Sequence, residues 1–241
     1  MTDLAAGSHE RVLPGLSITT FDISADGQRV TFATIDSDNK SRIWIARLDR
    51  RSPPTMLPPV EARGPVFGRD DDIYYRGLDG KLWYLFHLKI SSAEIRKFSN
   101  EQAVNSPTIS PDGEWILSVV PVEGQDATTV VKAFPVTGGT PTTVCRFCFL
   151  KWTRDQKHLF ITRAATNGEG ESPSFVISLP PGKALPDLPP GGLESDGDIR
   201  KLPLVRVIEG HPGVFPGVTQ TVHAFERRLV RRNIYQITLP R

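Results

Sequence analysis

The sequence predicts an all-β protein: a β-propeller of four-stranded antiparallel blades, about five in number, or an open partial propeller. Three observations predict it. A turn signature returns at near-constant spacing, with Asp26, Asp70, Asp112 and Asp155 separated by 44, 42 and 43 residues. Each copy is followed by short runs rich in β-branched and aromatic residues, bounded by Gly, Pro, Asp or Asn. Helical periodicity is nearly absent; Ser91 to Phe98 could make one or two helical turns, but it also reads as a strand. Four-stranded units of about 40 to 45 residues cannot bury both faces alone, and stacking them as blades around an axis solves that problem.

The first copy reads Ile23-Ser24-Ala25-Asp26-Gly27, then a strand through Val30 and Phe32. The second is degenerate, Phe67-Gly68-Arg69-Asp70-Asp71-Asp72-Ile73-Tyr74. The third is Ile109-Ser110-Pro111-Asp112-Gly113 before Trp115, and the fourth is Trp152-Thr153-Arg154-Asp155-Gln156 before Leu159. A further strand follows each hairpin, at Arg42–Ile45, Lys81–Tyr84, Val130–Phe134 and Ser174–Ile177. In such a turn the Asp carboxylate accepts backbone N–H groups and Gly supplies the positive φ. Asp26, Gly27, Asp70, Asp112, Gly113 and Asp155 are therefore read as structural turn residues. A shared metal is disfavoured, because separated blades cannot easily present one ion with four ligands. The expected single domain divides into units at 17–58, 59–99, 102–144 and 145–208, with a last blade from 218–241 plus 3–14.

Both ends bear on ring closure. Asp3 to Pro14 resembles the end of a third strand, a turn and a fourth strand, while Gln220–Arg227 and Arg232–Leu239 resemble the second and third strands of a blade. Pairing the two would close the ring and remove two edge strands. A piece of a larger propeller that lacks its upstream blades fits equally. Residues 179–217 break the rhythm with a Pro/Gly-rich stretch, Leu179 to Gly192, and the next turn is expected only near Gly217. An ordered excursion or lid is the functional reading of this segment, and a decorated loop is the plainer one.

Composition narrows the function classes. Lys plus Arg is 29 against 27 for Asp plus Glu, a formal charge of +2. That balance argues against a dedicated nucleic-acid binder or a polybasic membrane module. A hydrophobic content of 39% argues against global disorder. The 20 glycines and 21 prolines suit a chain of many short elements. No apolar run of about 18 residues predicts a membrane span, and Met1–Glu10 has no apolar core of a signal peptide. A cytoplasmic location is expected as the chain stands, or a periplasmic or otherwise extracytoplasmic one if it belongs to a longer membrane-anchored protein.

The repeats resemble the TolB-type, WD40-like propeller repeat, whose hallmark is a Ser-Pro-Asp-Gly turn. Ser110-Pro111-Asp112-Gly113 matches it in full, and Ser24-Ala25-Asp26-Gly27 matches at three of four positions. Thr153-Arg154-Asp155-Gln156 keeps the Asp and is preceded by a Trp that the family often has. The Gly-His and Trp-Asp pairs of true WD40 repeats are missing. The Pro-rich stretch and Asn233-Ile234-Tyr235 also resemble the C-terminal part of large bacterial proteins in which such a propeller follows a serine/threonine kinase or winged-helix domain. No kinase Gly-rich loop, HRD or DFG motif occurs, so no kinase activity is carried over. TolB-like propellers also gate the hydrolase domain of prolyl-oligopeptidase-like enzymes, but there is no G-x-S-x-G elbow here. Five-bladed glycosidases set carboxylates around the pore, which Asp70-Asp71-Asp72 could imitate.

Other candidate chemistry is thin. Cys145-Arg146-Phe147-Cys148 lacks the thioredoxin-like βαβ setting and a second ligand pair, so buried packing is the first reading, with a disulfide second and metal or redox work third. His9, His87, His158, His211 and His223 show no ligating spacing. Arg227, Arg228, Arg231 and Arg232 cluster around an expected hairpin tip and are the candidate contact residues. Trp44, Trp83, Trp115 and Trp152 are expected in the core between blades. The leading expectation is a non-enzymatic scaffold that binds a protein partner through its end loops, without cofactor, metal, nucleic acid or membrane insertion. It would be a monomer, or would self-associate if the ring is open. One alternative is a small-ligand or glycoside-processing propeller that uses pore-facing carboxylates. Another is a fragment of a larger sensor or kinase-associated protein without activity of its own.

Overall fold

The computed structural model describes residues 2–3, 8–9, 13, 15–70, 72–125, 128–153, 155–163, 173–209, 214–217 and 221–224. After a short pair, β1 (Thr2–Asp3) and β2 (Ser8–His9), four antiparallel four-stranded sheets follow in sequence. Blade 1 is β3 (Ile18–Ile23), β4 (Arg29–Ile35), β5 (Ser41–Arg47) and β6 (Thr55–Val60). Blade 2 is β7 (Ala62–Phe67), β8 (Asp72–Asp79), β9 (Leu82–Lys89) and β10 (Glu94–Gln102). Blade 3 is β11 (Thr108–Ile109), β12 (Trp115–Pro121), β13 (Thr129–Pro135) and β14 (Thr142–Arg146). Blade 4 is β15 (Cys148–Trp152), β16 (His158–Arg163), β17 (Ser174–Ser178) and β18 (Val205–Ile208). A further two-stranded pair, β19 (Phe215–Pro216) and β20 (His223–Ala224), completes the described residues. The ambiguous segment at 91–98 is resolved as strand, since Glu94–Lys97 pair antiparallel with Lys89–Phe86. Ring closure, with residues 225–241 and most of the expected N-terminal strand, lies outside the described residues.

Strand order within each blade is sequential, and among the described residues blades 2 and 3 bury both faces against the blades on either side. Consecutive residues of a middle strand therefore point into different cores, which is why such strands read as unbroken apolar runs. On β8 Ile73 and Tyr75 join Ala33 and Ile43 of blade 1, while Tyr74 between them joins Ile116 and Phe134 of blade 3. A third core holds Leu117 and Val131 of blade 3 against Leu159 and Phe175 of blade 4. On the far side of blade 4, Phe160 and Val176 meet Val214, just before β19.

The break in rhythm after Leu179 is an ordered excursion rather than a decorated loop. Leu185, Leu193 and Ile199 are buried in the core between blades 3 and 4. Leu193 pairs with the outer strand of blade 3: its N–H donates to Val144 O at 2.8 Å and its carbonyl accepts from Arg146 N at 3.0 Å. The indole of Trp152 donates to Ala184 O at 2.7 Å. A short helix, α1 (Asp196–Arg200), is started by a reciprocal capping box between Ser195 and Asp198. The sulfurs of Cys145 and Cys148 are bonded, with Cα atoms 6.0 Å apart, and this bond joins β14 to β15 where blade 3 passes into blade 4. Both cysteines are also buried, so the expected packing and the disulfide hold together.

Candidate functional site

The hairpin turns between the first two strands of each blade carry the repeated Asp. In blade 1 the buried Ser24 hydroxyl donates to the Asp26 carboxylate at 2.5 Å and accepts from Arg29 N at 2.9 Å. Asp26 in turn accepts from Gln28 N at 3.0 Å. Blade 3 repeats the arrangement with Ser110, Asp112, Glu114 and Trp115, and blade 4 with Thr153, Asp155, Lys157 and His158. Gly27, Gly113 and Gln156 fill the same left-handed position, with φ of 69°, 70° and 62°. The hydroxyl, and then the turn N–H, hold the carboxyls of Asp26 and Asp155 below the usual carboxylate value.

Blade 2 departs from this scheme. Its turn closes between Gly68 N and Asp72 O at 2.8 Å, one residue tighter than the Ser24–Arg29 closure. Asp70 itself takes the left-handed position, φ 51°, so it stands where the other blades have Gly or Gln. Gly68 replaces the hydroxyl residue because a Cβ there would stand 2.6 Å from the Tyr74 ring.

Turns 1, 2 and 3 converge around a cavity of about 750 Å³ whose wall includes Asp22, Asp26, Arg29, Arg69, Asp70 and Asp112. That size falls in the range of ligand-binding clefts. Gly113 lines it as well. Asp155 lies instead at a neighbouring cavity of about 440 Å³, which shares Asp112 as a common wall and is bounded by Leu179–Ala184 of the excursion. Arg227, Arg228, Arg231 and Arg232 lie outside the described residues.

Three groups at the larger cavity escape a motif search. Asp22 on β3 accepts from Phe67 N of blade 2 at 2.8 Å, across 45 residues of sequence. Burial raises its carboxyl above the usual value, against the opposing pull of the Phe67 and Ile23 N–H groups. Arg29 stacks over the Phe67 ring at 5.4 Å. Arg69 donates to the Asp112 carbonyl and pairs with Glu114 at 2.5 Å, tying turn 2 to turn 3. The only sequence signal was Asp22 itself, a carboxylate in the middle of a strand. Behind this face His87 lies between Asp72 and Arg96. Its Nδ1 accepts from Arg96 Nε at 3.0 Å, and its Nε2 is 3.0 Å from Asp72 Oδ2 but off the line of a hydrogen bond. Burial and the Asp72 charge push the adjacent Tyr74 phenol up to about 12. Among the described residues no three His, Cys, Asp or Glu groups are placed to hold a metal ion.

The tryptophans are half-buried rather than core residues. Trp115 and Trp152 pack on the rim of the blade 3–4 core and Trp44 on that of blade 1, while Trp83 carries two arginine side chains.

Solved structures share this fold. TolB from Acinetobacter baumannii superposes with a TM-score of 0.53 at 10% identity, over 68% of this chain and 41% of that one. The fold is a TolB-type β-propeller. The β-propeller domain of the trilobed protease from Pyrococcus furiosus, described as having an open velcro topology, matches at 0.51 and 15% identity over 70% of this chain and 56% of that one. An oligogalacturonate lyase from Vibrio parahaemolyticus matches at 0.56 and 12% identity, over 73% of this chain and 56% of that one. The chain thus spans about two-fifths to three-fifths of the length of these structures. No protein-family model and no curated protein sequence matches it significantly. The lyase corrects the expectation of a non-enzymatic protein. A propeller of this kind also serves an enzyme, and a missing linear motif is weak evidence when a site is gathered from separate blades. No helix among the described residues is long and apolar enough to cross a membrane.

Proposed function

We propose that this propeller module binds a partner protein segment on its turn face, in the cavity framed by blades 1, 2 and 3. The observation that carries the reading is the convergence of three successive turns on one cavity of about 750 Å³. Two of these turns are closed by their own side chains, so they are rigid supports for whatever they present. Asp22, Asp26, Asp70 and Asp112 supply acceptor groups there against two cations, Arg69, which is engaged within the wall, and Arg29, which stacks on Phe67. A segment rich in Lys or Arg suits that balance. Selection from a displayed random-peptide library tests it. Basic peptides are expected to be enriched on the wild-type chain and lost on an Asp22→Lys, Asp70→Lys double variant. Enrichment of no peptide, or of peptides indifferent to the double variant, would refute the reading.

We also propose an oxidising compartment, supported by the Cys145–Cys148 bond. Maleimide is expected to label neither thiol in denaturant until reductant is added; labelling without reductant would rule it out.

A further inference from the structure

We propose that Arg63, Arg76 and Trp83 form a carboxylate-binding site on the side of blade 2 that faces blade 3, toward the end remote from the turn face. The ligand class is an organic carboxylate, carried on a small acid or on the side chains of an acidic protein segment.

The placement follows from strand register. Arg63 on β7 lies directly opposite Arg76 on β8. Trp83 on β9 lies opposite Leu78, and so diagonal to Arg76 on the same face. The guanidinium carbons of Arg63 and Arg76 stand 4.6 and 4.7 Å from the centre of the Trp83 ring. Like charges at directly opposed positions repel, and a partly buried cation without a counter-charge is costly. Elsewhere the chain neutralises such groups. Arg42, Arg47, Arg69, Arg163 and Arg200 each have a carboxylate within 3.2 Å. Among the described residues neither Arg63 nor Arg76 has one. Asp79 is engaged by Lys97 at 2.9 Å, and Glu101 by Lys132 at 2.6 Å. Arg76 Nε is shielded from solvent and has no hydrogen-bond partner. An unneutralised pair with an orphaned donor is the complement of a missing anion.

The chemistry of the pair selects the anion. A guanidinium stacked on an indole satisfies its face and leaves its in-plane N–H groups free, and that planar fork matches a planar carboxylate. A net charge of only +2 argues against a polyanion such as nucleic acid. The frame is rigid. Trp83 O accepts from Ala103 N at 2.8 Å, and Ser106 packs so closely on Gly64 that a Cβ there would overlap its hydroxyl. The crossover to blade 3 thereby pins the strands that carry Arg63 and Trp83. Burial and the neighbouring charge of Arg63 also draw the Arg76 pKa down, the electrostatic mark of a cation short of partners.

Calorimetric titration of the full chain at low ionic strength tests this, with succinate as one probe and acetyl-Glu-Glu-Glu-amide as the other. Saturable binding of at least one probe is expected. It should weaken roughly tenfold or more in Arg63→Gln and in Arg76→Gln, and less in Arg63→Lys, which keeps the charge but loses the fork. Succinate alone binding assigns a small acid, and the peptide alone assigns an acidic segment; either supports the site. Arg63 is exposed, so its variants keep the test valid if Arg76→Gln fails to fold. A binding probe should also raise the melting temperature of the wild type but not of Arg63→Gln. No saturable binding of either probe overturns the proposal, and so do equal binding and equal thermal shifts in wild type and the Arg63 variants.

Discussion

Ser110 hydroxyl donates to the Asp112 carboxylate and accepts the Trp115 N–H, and it is almost fully buried while doing so. Ser110→Ala leaves that N–H and the carboxylate without their partner. The expected loss is about 1–3 kcal/mol of unfolding free energy, read from urea unfolding. An unchanged midpoint would mean that the hydroxyl is dispensable. Asp22 has the opposite character. Its carboxyl is raised by burial, so the unfolded chain ionises first as pH rises. Stability attributable to Asp22 is therefore full below the ordinary carboxylate pKa and falls as pH climbs through the raised folded value. Asp22→Asn keeps an acceptor for Phe67 N and removes that loss. Its melting temperature should match wild type near pH 3 and exceed it near neutrality; a gap independent of pH would contradict this. Asp26 and Asp155, whose carboxyls are lowered, act with the reverse sign, their support fading as pH drops below the ordinary value.

At the scale of elements, the excursion between β17 and β18 gives the sharpest test. Ile199 is fully buried, although its helix is only five residues long. Ile199→Ala is expected to cost about 2–5 kcal/mol in urea unfolding, as a core truncation does, whereas a loose loop would give almost nothing. The same segment marks where sequence reading stops. The four turns were legible because every bond that closes them lies within six residues, and the strands because their boundaries are turn residues. Leu193 reaching back to Val144, Asp22 reaching Phe67, and Arg63 meeting Arg76 are decided by tertiary packing and by register after a bulge. No local pattern encodes those meetings. Asp70 shows the limit within a motif, since a turn one residue shorter puts the acid at the left-handed position and not at the capping one.

For the whole molecule, the cores are pairwise, one between each pair of successive blades. Coupling should therefore decay with distance along the row of blades. In native-state hydrogen exchange, Ile43→Ala is expected to speed exchange in β4, β5 and β8 far more than in β16 and β17. Uniform acceleration would show instead that the blades open as one unit. The self-contained turns have a further consequence for how such a chain is made. Everything that closes the Ser110 turn travels within residues 110–115, as it does within 24–29 and 153–158. A tandem duplication of one segment therefore carries with it the bonds that close a working corner, and contacts such as Arg69 with Asp112 and Glu114 only join one corner to the next.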